Sequence, residues 1–220
     1  RQRQMCIRDR VSRMTRMKQM DAVQRHIRLS MELVMCMVCA MAFGLAAVAV
    51  NFAPLFYGDD FAYSGTLMMP LAFTLLSIGF ANVIRTQWVL PQGCDTIFVH
   101  SVLTGAVINL IANFVLIPPL GAMGAAAATV LAEFSVPAVQ FVYLRKELPY
   151  AHYLKTTGVY CLFGLVMAGV VALLGHVLPL HGWGKLAVQV IGGAAVYGAL
   201  CLTYWKLAKR SDIFRLMRRK

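Results

Sequence analysis

Apolar residues run almost unbroken through six stretches of this chain, at 29–50, 65–84, 97–117, 121–143, 158–178 and 186–205. Each is close to the roughly 20 residues that a helix needs to cross the hydrocarbon core of a bilayer. The runs are too long for strands, and their small residues favour helix. Short pieces rich in turn formers separate them: "FYGDDFAYS", "LPQGCD", "IPPLGA", "KELPYAHYLK" and "PLHGWGK". The pattern predicts an all-α integral membrane protein, a bundle of six transmembrane helices with no soluble domain.

Composition agrees. Hydrophobic residues make up 60% of the chain and charged ones 14%, against about half and a quarter in soluble domains. The net charge of +12 does not mark a nucleic-acid partner, because the basic residues cluster at the ends and between apolar blocks and are not interleaved with aromatics on one face. They report topology instead. Sixteen Lys and Arg fall on one side: those of the basic segment 11–28, Arg85, then Arg145, Lys146 and Lys155, and those of the tail 206–220. The other side holds Lys185, with Asp59 and Asp60. The excess of positive charge places both ends on the cytoplasmic side of the membrane.

The first ten residues, "RQRQMCIRDR", have no apolar periodicity and no signal-peptide core. They resemble a peptide read through from sequencing-adapter DNA, and are expected to be non-native, an irregular end that packs against nothing. On that reading the chain is the C-terminal part of a longer protein.

The candidate chemistry lies inside the membrane. A charge at the bilayer centre costs about 2.5–3.5 kcal/mol even on a forgiving scale, so Glu133, in the middle of 121–143, needs a reason. The stretches 97–117 and 121–143 are joined around Pro118 to Gly121 and should form a tight antiparallel hairpin. Equal distance from the turn then puts Glu133 near the depth of Val107 and Asn109, and Asn109 shares a helix face with Asn113. Two readings follow: a buried carboxyl that bonds Asn109 or a carbonyl and holds helices together, or a proton- or sodium-linked switch facing a wet cavity. Pro137 lacks the N–H that would bond the Glu133 carbonyl, and Pro70 frees the Thr66 carbonyl likewise. Such breaks survive only where protein or a cavity satisfies them. Arg85, at the end of the second span, either snorkels to lipid phosphates or meets an anionic headgroup.

Other polar groups read as structural. Asp59 and Asp60 suit a loop and helix start. The pair in "CMVC", Cys36 and Cys39, is expected to pack rather than bind metal. The five histidines lack ligand spacing. Small residues at Gly121, Gly124, Ala125 to Ala128, Gly192, Gly193, Ala194 and Gly198 should face other helices, since close backbone approach is what lets helices associate in lipid.

From "LFYGDDF" through "RTQWVLPQGCDTIFVHSVLTGAVINLIANFVLIPPLGAMGAAAATVLAEF", the chain resembles the C-terminal region of the polysaccharide-biosynthesis flippases, of the multidrug, oligosaccharidyl-lipid and polysaccharide exporter superfamily. The resemblance implies the last six helices of a carrier of twelve to fourteen helices in two lobes. Such a carrier passes an isoprenoid-pyrophosphate-linked oligosaccharide to the outer leaflet by alternating access, alongside polysaccharide-assembly enzymes and membrane lipids, without a cofactor. It carries over Asn109, Asn113, Gly121, Gly124 and Glu133 as pattern positions; Arg85 departs from it, where an uncharged residue is expected.

Two rivals remain. A drug or cation antiporter of the same superfamily would want excess carboxylate, but only Glu32 and Glu133 occur within the six spans. A membrane-embedded polymerase or ligase would need a large outer loop with catalytic groups, and no nucleophile and base pair or metal spacing appears in any loop.

Overall fold

The computed structural model describes residues 2–177 and 182–207, with side-chain surroundings from Met20 onward. The sequence folds into α1 (Gln2–Tyr57), a 3-10 turn (Asp59–Phe61), α2 (Ala62–Ala72), α3 (Thr74–Ile84), a π-helical turn (Arg85–Val89), α4 (Asp95–Leu120), α5 (Ala122–Leu144), α6 (Tyr150–Val177) and α7 (Gly182–Leu207). Six of these helical units are long and apolar enough to span a membrane, α2 and α3 counting with their flanking turns as one. The predicted fold class and number of spans therefore hold among the described residues.

Three details differ from expectation. The first ten residues do not form an irregular end: α1 begins at Gln2. "RQRQMCIRDR" contains neither Gly nor Pro, and Arg, Gln and Met are good helix formers. Their side-chain contacts, like the basic tail beyond Leu207, lie outside the described residues. Second, the helix breaks at Phe73, just after Pro70. The Phe73 N–H bonds the Pro70 carbonyl at 3.2 Å, and the Thr74 hydroxyl donates to the Leu71 carbonyl at 2.7 Å. Third, the α4–α5 joint is a single residue, because Pro118 and Pro119 sit inside the last turn of α4. Gly121 reverses the chain at φ 56 and ψ −131, a conformation costly for any residue with a Cβ.

The core lies where α1 meets α6, α7 and the α2–α3 span. Met31, Met35 and Cys39 of α1 and Tyr153 and Tyr160 of α6 are fully buried there. Small residues set the helix spacing: a Cβ on Gly164 would come 2.3 Å from the Phe43 ring, and one on Gly193 2.7 Å from Val171. Gly124 is tighter still, since a Cβ there would lie 2.1 Å from the Leu116 backbone oxygen. A Cβ on Gly198 would meet nothing within 4 Å, so that glycine, though it lines a groove with residues of α1 and α6, does not set a helix spacing. The cysteines pack as thiol pairs between helices, Cys36 with Cys201 at 3.6 Å and Cys39 with Cys161 at 3.8 Å. The α4–α5 hairpin joins this core through α5, which packs on α2 and α3, while α4 leans mainly on α5.

Candidate functional site

Between α3, α4 and α5 lies a cavity of about 650 Å³. α3 and the π turn present Ile78, Asn82 and Arg85; α4 presents Val102, Ala106, Asn109 and Asn113; α5 presents Thr129, Glu133, Val136 and Gln140. Within each helix these residues recur at steps of three or four, so each set forms one stripe. The glycine contacts set the hairpin register. A Cβ on Gly105 would touch Val136 at 3.1 Å and the Ala132 carbonyl at 3.4 Å, which places Glu133 at the level of Gly105 to Val107, about a turn from Asn109. The hairpin register read from the sequence, with Glu133 near Val107 and Asn109, is met to within about a turn.

Four of the expected site residues, Glu133, Asn109, Asn113 and Arg85, therefore line one cavity. Their bonding differs from expectation in two respects. Asn109 does not bond Glu133; the Asn113 amide donates instead to the Asn109 side-chain oxygen and backbone carbonyl, both at 2.9 Å. Arg85 does not end an exposed helix. The chain continues through a π turn, in which the Leu90 N–H bonds the Arg85 carbonyl at 2.9 Å, and the guanidinium lies over the Phe98 ring at 5.1 Å. The extra residue of a π turn re-aims side chains, and such turns recur at functional sites.

The proline break resolves cleanly. The Glu133 carbonyl left free by Pro137 accepts a hydrogen bond from the Ser77 hydroxyl of α3, and Ser77 is buried. One contact thus satisfies the carbonyl and ties α5 to α3. Pro70 lies away from the cavity lining, so its break shapes the second span alone.

Sequence reasoning missed Ser77, Asn82, Thr129 and Gln140. The signal was present for Gln140, which stands seven residues after Glu133 on the same face, and for Asn82, three before Arg85. Two atoms at the site are closed off from solvent with no partner among the described residues, Arg85 Nε and Gln140 Oε1. Buried polar atoms are normally bonded, so these two are disposed to receive a ligand or water. The cavity offers a planar cation, a carboxylate and several amides against apolar walls, a set that can bind an anionic group and a polyhydroxyl surface together.

Six membrane-length helices with a polar cavity between three of them define a multi-helix membrane protein. The chain belongs to the family described as lipid II flippase MurJ, whose model matches residues 9–192. A solved structure titled lipid II flippase MurJ, inward closed conformation, superposes with a TM-score of 0.70 at 17% sequence identity, over 84% of this chain and 39% of that one. The chain therefore spans about two fifths of the length of that carrier. No curated protein matches it. The expected family is thereby corrected: the polysaccharide flippases give way to the lipid II flippases, and the broader class, flippases of lipid-linked precursors, stands.

Proposed function

We propose that this chain forms part of an alternating-access flippase of the bacterial cytoplasmic membrane. Its substrate would be a saccharide on an isoprenoid diphosphate, of the lipid II kind that the family's description names. The observation that carries this reading is the gathering of Arg85, Asn82, Asn109, Asn113, Glu133 and Gln140 around one cavity in otherwise apolar spans. The guanidinium supplies fixed, forked donors matched to a phosphate. The amides suit sugar hydroxyls, and an intramembrane carboxyl is by default an ion or proton site. An arginine lining the same cavity as Glu133 counts against a cationic substrate, and hence against the antiporter. The Lys and Arg asymmetry supports cytoplasmic ends.

Translocation of labelled lipid II in proteoliposomes tests the reading, with a lipid-linked oligosaccharide lacking peptide as the second substrate. Arg85→Gln should lower the rate with either diphosphate lipid. Glu133→Gln keeps shape and hydrogen bonding but removes titration, so transport should lose its pH or sodium dependence while the fold survives. Transport of neither lipid, or unchanged coupling in Glu133→Gln, would overturn the assignment concerned.

A further inference from the structure

A second carboxylate lies inside the bundle, away from the cavity. Glu32 of α1 is 4% exposed. Its Oε1 accepts the Tyr160 hydroxyl of α6 at 3.1 Å, and the Tyr160 oxygen accepts the Trp205 indole N–H of α7 at 2.9 Å. A phenol oxygen has a second lone pair, so Tyr160 can still accept one more bond.

Along α6 from Tyr160 toward its start stand Thr157, Tyr153 and Tyr150, at steps of three or four that place all four on one helix face. The three hydroxyl oxygens are closed off from bulk solvent and have no partner among the described residues. Tyr153 is fully buried and Tyr150 4% exposed. Leaving a buried hydroxyl unbonded costs about 1–3 kcal/mol. Three on one face, running toward a buried carboxylate, call for an occupant that both donates and accepts at each, which is water. The row opens at the α5–α6 joint. There the exposed Glu147 accepts the Trp88 indole N–H at 3.1 Å and lies within electrostatic reach of Tyr150.

We propose that Glu32 is a proton-binding site of the carrier, filled from the α5–α6 end of the bundle along water molecules held by Tyr150, Tyr153 and Thr157. A hydronium at the Glu147 mouth gives up one proton to the file. Each water passes one on, Tyr160 takes one at its free lone pair and releases its own to Glu32, and the carboxylate becomes a neutral acid. No other bond changes. The charged and titratable groups near Glu32 among the described residues include Arg28 and Cys36, a turn to either side on its own helix, Tyr160 from α6, Tyr204 of α7, whose ring meets that of Tyr160 at 6.1 Å, and, beyond Cys36, Cys201 and Tyr197 of α7. Arg28 reaches Tyr153 electrostatically, Cys36 reaches Glu32, and the Tyr197 hydroxyl donates to the Cys36 carbonyl at 2.7 Å. A buried charge is costly unless compensated, so taking up a proton at Glu32 changes the cost of holding α1 against α6 and α7. This site goes beyond the Glu133 reading and stands without it.

Infrared titration of the carrier in lipid nanodiscs tests the proposal. A protonated-carboxyl band should appear on acidification, persist in Glu133→Gln and vanish in Glu32→Gln. Replacing Tyr153 by Phe and Thr157 by Val should slow deuterium exchange into that band about tenfold, a barrier rise of about 1.4 kcal/mol, and Thr157→Ser should retain the rate. Absence of a Glu32 band across the titration, or wild-type exchange in the double variant, overturns it. A high-resolution map of the unmodified carrier gives a check free of folding effects: water within hydrogen-bond distance of the three hydroxyls is expected, and a dry α1–α6 interface overturns the proposal.

Discussion

The α1–α6–α7 side and the α4–α5 hairpin are both apolar enough to span a membrane and differ in what they do with polar atoms. On the first, polar groups of different helices find one another: Tyr160 with Glu32 and Trp205, and Tyr197 with the Cys36 carbonyl. On the second, Asn113 turns back to Asn109 on its own helix, while Arg85 and Gln140 present unpartnered atoms beside a cavity. Burial separates only the extremes, since α5 and α6 are alike at 22%. Of the most apolar window of each span, 33% is buried in α1 but only 11% in α4. Lipid gives helices no hydrophobic reason to associate, so tight contacts and cross-helix hydrogen bonds hold the first side together around Glu32 and Cys36, while polar atoms left for something that enters occur on both sides, Tyr150, Tyr153 and Thr157 of α6 as well as Arg85 and Gln140.

The contrast has one exception, and the largest expected effect lies there. Gly124 binds α5 to α4 by backbone contact, and Gly164 binds α6 to α1 through a ring that can tilt. Overpacking typically costs about 1–3 kcal/mol. Gly124→Val should fall at or above the top of that range, because the obstruction is backbone, and Gly164→Val lower. Thermal unfolding in detergent, followed by tryptophan fluorescence, ranks the two; the reverse order would mean that the hairpin is the softer joint.

Next comes Tyr160→Phe, which removes the hydroxyl that accepts from the Trp205 N–H and donates to Glu32. Removing a partner from buried polar groups costs about 1–3 kcal/mol. Ser77→Ala should cost about 1 kcal/mol as the Glu133 carbonyl loses its donor, and should also alter transport, because the carbonyl precedes Pro137 beside the cavity. A loss of stability without any change in transport would assign Ser77 to the packed side of the comparison.

The two sides were not equally legible in the sequence. Six spans follow from run length alone, and the convergence of Glu133 with Asn109 and Asn113 follows from a hairpin whose turn residues fix depth. Arg85 joins them because a π turn extends the helix past its apparent end, which no periodicity announces. Ser77 was hidden because a small polar residue in an apolar helix does not tell which neighbour covers it, whereas Gln140 could be read from its seven-residue step after Glu133. The Glu32–Tyr160 bond joins residues 128 apart, a pairing set by how the helices pack rather than by local pattern. Pro70 misled in placement: the freed carbonyl is near it, but the helix interrupts at Phe73.

The smallest expected effect is the sharpest check on the division. Phe114 of α4 is 75% exposed, whereas Phe43 of α1 is 7% exposed and meets Phe73 edge to face with ring centroids 5.1 Å apart. Both are phenylalanines inside apolar spans, and hydropathy does not distinguish them. Truncating a buried Phe leaves a cavity and costs about 3–5 kcal/mol in water-soluble cores; in a membrane the packing part of that cost remains, since the lost contacts are with neighbouring side chains. Phe114→Ala removes no described contact of that kind, so its stability should stay within about 0.5 kcal/mol of the unsubstituted chain. Measuring both variants by the same unfolding assay in the same detergent isolates packing from hydrophobicity. If Phe114→Ala proved as costly as Phe43→Ala, the outer face of α4 would be seated against protein, and the open side of the comparison would have to be redrawn as an interface.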